Sequence, residues 1–420
     1  MLSLVRSSKR ATTLRRRFGR VQTWRCFTAL PEFGNAPSTL PNLTLKEVPN
    51  INFYLHLCET TSAFIHEVLQ MKVLSVSPGR LTLEMAFLPD MIGNPTPASL
   101  HGGVTAAAID HAAGFCCWST FDNLVCSTMN LRVDYLKPLL LTDKAMVLDA
   151  VMEHIDDEKN LLRTTVVCYD GARTKRIAVG RGLFNRYPPK LGVMENVKPL
   201  ARHLWDTPSL NFLARYMFDK YKVGLIYLNR RKHHRKTKSL PSFSIDDERK
   251  KYDLECESHA TTNDGQLYNG LTKEEYIHVT EKEPVFGDKV LGIRVLAMSH
   301  GQCITAIPFK DSFMGNFVTS AMHGGVMASL MDQTAGMCAR SVVKDEQKRV
   351  STVNFSIDYL APAKCFEHII CEARVVSDSA QEEVEDGREL VFVEATCWNE
   401  SKTIVTGVGK LTFNVYRRQT

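Results

Sequence analysis

The sequence predicts an α+β fold that is built twice within one chain, and three observations lead to this prediction. First, two stretches of the chain repeat the same residues in the same order. Second, each stretch contains one helix-length segment of small and apolar residues, which must be buried because it is apolar on all sides. Third, several segments with alternating apolar residues follow that helix, as antiparallel strands require.

The repeat is the strongest of these observations. Downstream of the central motif, STMNLRVDYLKP (127–138) matches STVNFSIDYLAP (351–362), and VGRGLFNRY (179–187) matches VGKLTFNVY (408–416). Within the motif, at a constant offset of 222 residues, the matched positions are Asn94 with Asn316, His101-Gly102-Gly103 with His323-Gly324-Gly325, and Asp110 with Asp332. Chance does not place so many matches in one order, so we interpret the chain as a tandem duplication.

Each copy has the same series of predicted elements. A short helix comes first, and a strand with apolar residues at alternating positions follows it. The Gly-Gly pair then precedes the buried helix, and several strands complete the copy. The predicted helices are 54–68, 104–119, 272–280 and 326–342, and the predicted strands of the first copy include 81–87, 129–135, 145–154, 161–170 and 177–184.

Composition and charge exclude several protein classes. The 420 residues are 44% hydrophobic, 23% charged and 9% aromatic, which is ordinary for a soluble globular protein. The net charge is +6, but the first 30 residues hold seven Arg, one Lys and no acid, so the remainder carries 6 − 8 = −2. Because the body is slightly acidic, we expect no nucleic-acid partner. The twelve cysteines form no CxxC pair, so we expect no zinc site.

The basic start of the chain predicts a targeting segment. Residues 1–30 are rich in Arg, Ser and Thr and free of acids, which is typical of a mitochondrial presequence, so we expect the protein in the mitochondrial matrix. A basic tail that binds RNA or phospholipid is the alternative. The chain has no apolar run of about 18 residues, so we expect no transmembrane segment.

A charged connector separates the copies, which we assign to 40–187 and 266–420. Residues 188–265 contain the basic run NRRKHHRKTK (229–238) and a following acidic stretch. We interpret them mostly as an exposed or partly disordered linker, in which 209–228 could form a docked helix. The basic run could instead contact nucleic acid, anionic lipid or the phosphates of a ligand.

The repeated HGG motif has a chemical meaning. Glycines let the backbone approach a ligand closely, and the free N–H groups at a helix N-terminus can hold an oxyanion or a phosphate. Asp110 and Asp332 each lie nine residues after the His, within an otherwise apolar helix. Burying a carboxylate is costly. Its occurrence twice at the same spacing therefore predicts a functional site.

The motif HGG-x(6)-D, with the later STxNxxxDYLxP-like strand, resembles the hotdog-fold acyl-CoA thioesterases of the phenylacetate-pathway (PaaI) type and the thioesterase superfamily. The resemblance covers about 40–187 and 266–416. It implies a five- or six-stranded antiparallel sheet wrapped around one long helix, with two such units paired edge to edge and sites at their interface. The two copies would thus form two hotdog domains fused as an intrachain pseudo-dimer.

The resemblance also implies composite sites, each taking its Asp from the other copy. Site one would combine Asn94, His101 and Gly102 with Asp332 and Thr352, and site two Asn316, His323 and Gly324 with Asp110 and Thr128. The amide of Gly102 or Gly324 would stabilise the oxyanion, and the Asp would act as general base or as nucleophile. Thr128 and Thr352, or their neighbours Ser127 and Ser351, would orient water. Gly103 and Gly325, with the two serines, are candidates for substrate binding.

We expect His101 and His323 to hold the loop rather than act as the base, because neither has a Ser or Cys nucleophile nearby. Two departures from the family pattern matter. Asn94 and Asn316 lie seven residues before the His, where the family has six. The residue after the Asp also differs, being His111 in one copy and Gln333 in the other. The two sites are therefore expected to differ.

The function implied is hydrolysis of acyl-CoA to free acid and CoA, with no metal or redox cofactor, since CoA arrives as part of the substrate. The alternative is a non-catalytic acyl-CoA-binding or scaffold protein, which retention of both Asp residues disfavours. A hotdog hydratase is a weaker enzymatic alternative, because the Asp110-His111 pair occurs once and adjacent helix residues point about 100° apart. Association into a homodimer of two-copy chains is also expected.

Overall fold

The computed structural model describes residues 51–60, 62–120, 125–187, 207, 210–237, 244, 247–250, 275, 277–278, 285–316, 320–345, 347–378 and 389–417. Residues Leu45–Thr420 belong to one compact unit. The predicted presequence lies outside the described residues, as does most of the predicted connector apart from 210–237 and a few isolated positions.

Four α-helices and sixteen strands are described. The helices are α1 (Ile51–Thr60), α2 (Gly102–Trp118), α3 (Asn211–Thr237) and α4 (Gly324–Ser341). The strands of the first copy are β1 (Met71–Ser77), β2 (Arg80–Ala86), β3 (Ile92–Pro95), β4 (Ala98–Leu100), β5 (Val125–Tyr135), β6 (Ala145–Asp156), β7 (Leu161–Asp170) and β8 (Arg176–Tyr187). Those of the second copy are β9 (Arg294–Ser299), β10 (Gln302–Ile307), β11 (Met314–Asn316), β12 (Ala321–Met322), β13 (Lys348–Tyr359), β14 (Ile369–Asp378), β15 (Glu389–Asn399) and β16 (Val405–Arg417).

Twelve strands form one continuous antiparallel sheet, in the order β1-β2-β6-β7-β8-β5-β13-β16-β15-β14-β10-β9. Six strands come from each copy, and the order in the second half mirrors that in the first. The strands alternate as predicted: in β2, Leu81, Leu83 and Met85 are buried while the residues between them are partly exposed.

The long helix of each copy forms the core of its half. In α2, 13 of 17 residues are buried, and in α4, 15 of 18 are buried. A helix so deeply enclosed cannot present a polar face to water, and this explains its run of small and apolar residues. The predicted α+β fold, with two hotdog domains and a wrapped central helix in each, is confirmed.

The two half-sheets meet at a seam between β5 and β13. These strands pair antiparallel, with Leu131 opposite Ile357. Side chains also cross the seam: the Asn130 amide donates to Asp358 Oδ1 at 2.7 Å, and the Asn354 amide donates to Asp134 Oδ1 at 2.5 Å. Edge-to-edge pairing of the copies within one chain, as the resemblance implies, is therefore present.

The first helix of the first copy differs from its prediction, because it divides into α1 and a π-helical turn at Phe64–Leu69. In the second copy the equivalent turn is Phe286–Leu291, and the described residues of the predicted helix 272–280, which are 275 and 277–278, are helical. Both turns end at a left-handed residue, Gln70 (φ 50°) and Gly292 (φ 67°). A π-helix bonds residues five apart, so it does not follow the 3.6-residue period by which helices are predicted.

Helix α3 is longer than expected and includes most of the basic run assigned to a linker. It has no proline and only one glycine, so nothing in its sequence stops it at residue 228. Its inner side is docked: Ala214 is buried, and Lys222 Nζ donates to the carbonyl of Thr60 at 2.7 Å. None of the described helices is both long and apolar enough to cross a bilayer.

Candidate active sites

The central helices α2 and α4 pack directly against each other, running antiparallel. A Cβ atom on Gly103 would lie 2.4 Å from Ser329 Cα, and one on Gly325 would lie 2.4 Å from Ala107 Cβ. Real Cβ atoms do not approach so closely, so only glycine permits this crossing. This close approach gives Gly103 and Gly325 a packing role, and their role in substrate binding stays a prediction.

The crossing brings each Asp to the start of the other copy's helix. Asp332 Oδ2 lies 2.7 Å from the position that a Cβ on Gly102 would occupy, and Asp110 Oδ2 lies 2.9 Å from the equivalent position on Gly324. The residues that the resemblance pairs across copies therefore lie together in space. We call the arrangement around Gly102 and Asp332 site one, and that around Gly324 and Asp110 site two.

A threonine holds each carboxylate. Thr128 Oγ donates to Asp110 Oδ1 at 2.7 Å, and Thr352 Oγ donates to Asp332 Oδ1 at 2.7 Å. Ser127 is exposed, because successive strand residues point to opposite faces of the sheet. The structure therefore places the threonines against the aspartates, and not the neighbouring serines Ser127 and Ser351 that were also considered.

Burial changes the protonation of Asp110. It raises the pKa of this carboxyl to about 6, while the hydrogen bond from Thr128 acts in the opposite direction by stabilising the charged form. A carboxyl with a pKa near 6 is ionised at neutral pH, yet it binds a proton far more readily than an exposed Asp. These are the properties that a general base needs.

The first glycine of each motif presents a free backbone donor. Gly103 N–H donates to His101 Nδ1 at 3.0 Å, and Gly325 N–H donates to His323 Nδ1 at 2.9 Å. By contrast, none of the described residues accepts the N–H of Gly102 or Gly324. These groups lie in the first turns of α2 and α4, where the helix dipole favours negative charge. Each site thus has an unused donor beside a carboxylate.

The motif histidines act as helix caps. His101 accepts from Gly103 at Nδ1 and donates from Nε2 to Gln333 Oε1 at 2.6 Å, so its ring is neutral with the proton on Nε2. Its Nδ1 lies 3.5 Å from Asp332 Oδ2, but an unprotonated nitrogen makes no hydrogen bond there. Burial lowers the pKa of His323 to about 4, so this ring is also neutral at pH 7. Both rings hold their loops.

The two sites differ next to the Asp. Gln333 bonds the capping His101, whereas His111 donates from Nε2 to the carbonyl of Cys58 at 2.8 Å. Burial lowers the pKa of His111 to about 3, and its ring lies 6.0 Å from that of His323. His111 is therefore bound to α1 and not aligned with the carboxylate of Asp110. That the sites differ in rate or substrate stays a prediction.

The asparagines of the motif lie in the loops before the histidines. Asn94 is in β3, and its Oδ1 accepts from the backbone N–H of Thr96 at 3.0 Å, within its own turn. Asn316 ends β11, where its backbone pairs with Ala321. The Thr96 bond gives Asn94 a role in shaping the loop, and a catalytic role for either asparagine stays a prediction.

Two tyrosines belong to the sites but were missed from the sequence. Tyr135 donates its hydroxyl to the carbonyl of Gly102 at 2.8 Å, and Tyr359 donates to the carbonyl of Gly324 at 3.1 Å. Burial raises the pKa of both hydroxyls, which therefore stay protonated as donors. The sequence did contain a pattern that predicts these two site residues, because both tyrosines occur in the repeated DYLxP segment.

The π-helical turns also pack on the sites of the opposite copy. The ring of Phe286 lies 5.2 Å from that of His101, and the ring of Phe64 lies 5.8 Å from that of His323. Each capping histidine is thus enclosed by a phenylalanine of the other half. This contact shields the loop from water and depends on both copies being present.

Comparison with known proteins finds one family match in each copy. The thioesterase superfamily model matches residues 98–155 and 320–381, once in each copy. A provisionally named esterase of Halobacterium salinarum is 27% identical over 129 residues, which are 30% of this chain and 82% of that protein.

Two solved structures are also similar to this chain. A tesB protein of Mycobacterium avium subspecies paratuberculosis is 9% identical, with 82% of this chain and 96% of that chain covered and a TM-score of 0.43. The Escherichia coli PaaI protein, from the phenylacetic acid degradation operon, is 20% identical, with 29% and 82% covered and a TM-score of 0.26. The thioesterase superfamily model thus matches one segment in each copy, and at family level these matches support hydrolysis of a thioester or an ester.

Proposed function

We propose that the protein is an acyl-CoA thioesterase with two composite sites, each hydrolysing acyl-CoA to free acid and CoA. One observation carries this proposal. The Asp of each central helix lies against the first glycine of the other helix, whose N–H has no acceptor among the described residues. A base beside an oxyanion donor is what hydrolysis of an activated carbonyl requires.

In the proposed reaction the thioester carbonyl oxygen accepts a hydrogen bond from Gly102 or Gly324. The Asp takes a proton from water, the hydroxide adds to the carbonyl carbon, and the C–S bond breaks. The thiolate of CoA then leaves and regains the proton. Alternatively, the Asp attacks first to form a mixed anhydride, which water cleaves. When that water adds to the Asp carboxyl carbon, a single turnover in ¹⁸O-water separates the two routes, because the first acid released then carries an oxygen of the Asp, whereas the general-base route places ¹⁸O in it directly.

The proposed chemistry uses no metal or redox cofactor, and CoA enters as part of the substrate. Prolonged treatment with a chelator should therefore leave turnover unchanged, and a loss that zinc or magnesium restores would contradict this part of the proposal.

We also propose that residues 1–30 direct the protein to the mitochondrial matrix. Uptake of the full chain by isolated mitochondria, with shortening at the N-terminus, tests this.

The direct test is release of free thiol from a panel of short, long and aromatic acyl-CoAs. Turnover of at least one class is expected, and the panel reports the substrate preference at the same time. If the protein binds acyl-CoA but hydrolyses none, the enzymatic proposal fails and a non-catalytic acyl-CoA-binding role replaces it.

The pH dependence of site two is predicted separately, using Asp332→Asn to silence site one. Below about pH 6 the rate should fall tenfold per pH unit, because the base Asp110 becomes protonated. Thr128→Val removes a hydrogen bond to the charged form, so the midpoint should move to higher pH. Thr352→Val, in the silenced site, is the matched control and should leave the midpoint in place. An unchanged midpoint in both variants would show that Asp110 is not the titrating base.

A further inference from the structure

Helix α3 carries two apolar faces, and only one is needed for packing. On the inner side, Phe218 lies 5.7 Å ring to ring from His56, and with Leu225 and Ile226 it packs against a small core cluster around Met314. Arg230 binds Asp311 at 3.1 Å and ties the far end of the helix to the second copy. The helix is thus fixed to the folded body between Ala214 and Arg230.

The outer side carries a second set of apolar residues that the fold does not use. Phe212, Tyr216, Val223 and Tyr227 are 71%, 59%, 62% and 62% exposed. Their spacing of 4, 7 and 4 residues places them within an arc of about 60° on the helix, turned away from docked Ala214 and Phe218. Arg230, which binds Asp311, lies at the edge of the same arc. We call these four residues the outer stripe. Exposed apolar residues aligned in this way are a candidate interaction surface.

The charge of helix α3 indicates which kind of partner would complement the outer stripe. Its sequence contains eight Lys or Arg and a single acid, Asp219. Lys220 and Arg231 are exposed on the flank of the outer stripe, and Lys220 Nζ lies 5.4 Å above the ring of Tyr216. The body of the protein is slightly acidic, so this concentration of positive charge is local to α3 and the chain start.

We propose that α3 is a docking surface for an anionic lipid bilayer, with the outer stripe inserted at the level of the headgroups and the flanking cations on lipid phosphates. Aromatic and aliphatic side chains beside Lys and Arg are the pattern of interfacial helices. A nucleic acid fits less well, since Val223 has neither the charge to bind phosphate nor a ring to stack on a base. The helix lies on the bilayer, with its long axis in the membrane plane.

Co-sedimentation of the full chain with vesicles tests the proposal without any enzyme assay. Vesicles of phosphatidylcholine alone are compared with vesicles containing one-third phosphatidylglycerol. We expect binding to the anionic vesicles, weakened by salt. The variant Phe212→Ser, Tyr216→Ser, Tyr227→Ser should bind at least about tenfold more weakly. The variant Lys220→Glu, Arg231→Glu should lose on the order of fivefold for each charge removed.

A matched control removes equally exposed apolar residues elsewhere. The variant Leu74→Ser, Leu360→Ser, Val376→Ser replaces side chains that are 53%, 56% and 48% exposed, outside α3. It should bind vesicles as the natural protein does. Equal binding by the stripe variant would overturn the proposal and attribute any vesicle binding to another segment, such as the basic residues 1–30.

Two other outcomes would also overturn the proposal. The first is that the full chain does not bind vesicles but binds a single-stranded oligonucleotide, and that the stripe variant loses this binding. The outer stripe would then be a nucleic-acid-binding surface. If sedimentation shows a dimer that the stripe variant converts to a monomer, with no vesicle binding, the outer stripe joins two copies of the chain.

Discussion

Replacing both aspartates with asparagine is expected to abolish thioester hydrolysis while leaving the fold intact. Removal of a general base lowers turnover by on the order of 10²–10⁴. Asp110→Asn and Asp332→Asn singly should each silence one site, so the double variant should lose far more than the two single losses multiplied together. Thiol release under saturating substrate measures this. Substantial turnover in the double variant would mean that the aspartates are not the reacting groups.

Combining Asp110→Asn with a glycine substitution in the same site or in the other site tests whether each site takes residues from both copies. Gly102→Ala places a Cβ 2.7 Å from Asp332 Oδ2, and Gly324→Ala places one 2.9 Å from Asp110 Oδ2. If both sites work, Asp110→Asn with Gly324→Ala damages only site two and should retain the turnover of site one. Asp110→Asn with Gly102→Ala damages both sites and should be inactive. The reverse result would mean that each copy contains a complete site of its own.

Stability provides an independent readout for Asp110. Its pKa is raised in the folded state, so the folded protein binds the proton more tightly than the unfolded chain between about pH 4 and pH 6. The free energy of unfolding therefore falls as pH rises through that window. Asp110→Asn removes a buried charge and should stabilise the protein at pH 7 by up to about 3 kcal/mol. A residue with a purely structural role would destabilise it when replaced.

The second large effect is expected from Gly325→Ala. The added Cβ would lie 2.4 Å from Ala107 Cβ and 2.6 Å from Ala107 Cα, so the two helices must separate. Overpacking of this kind costs roughly 1–3 kcal/mol. Because the crossing also positions Asp110 and Asp332, both sites should lose activity. Denaturant unfolding and thiol release are the measurements.

Gly336→Ala is the matched control within the same helix. A Cβ there meets the Phe413 ring at 3.7 Å, an ordinary contact. Since alanine is the better helix former by about 1 kcal/mol, this variant should be as stable as the natural protein or more so. If Gly325→Ala behaves like Gly336→Ala, the helices have room at the crossing and the close approach is not required.

Much of the fold followed from the repeat and the hydrophobic pattern. The buried helices, the alternating strands such as β2 and the division into two copies were predicted because they depend on local periodicity and on comparison of one half with the other. The π-helical turns and the full length of α3 were not, since the first has no 3.6-residue period and the second depends on docking along its inner side.

In the candidate site, too, some features were predictable from the sequence and others depend on tertiary packing. By itself the sequence determined that His, two glycines and a buried Asp recur with fixed spacing, because a duplicated segment preserves the residue types that its chemistry and packing require. Only the tertiary structure decided that Gly102 presents a free N–H while Gly103 makes room for the opposite helix. It also decided that Tyr135 holds the carbonyl of Gly102. These roles arise where two helices and two half-sheets meet, and Gly102 and Asp332, which are 332 − 102 = 230 positions apart in the chain, become neighbours only after the copies have packed together.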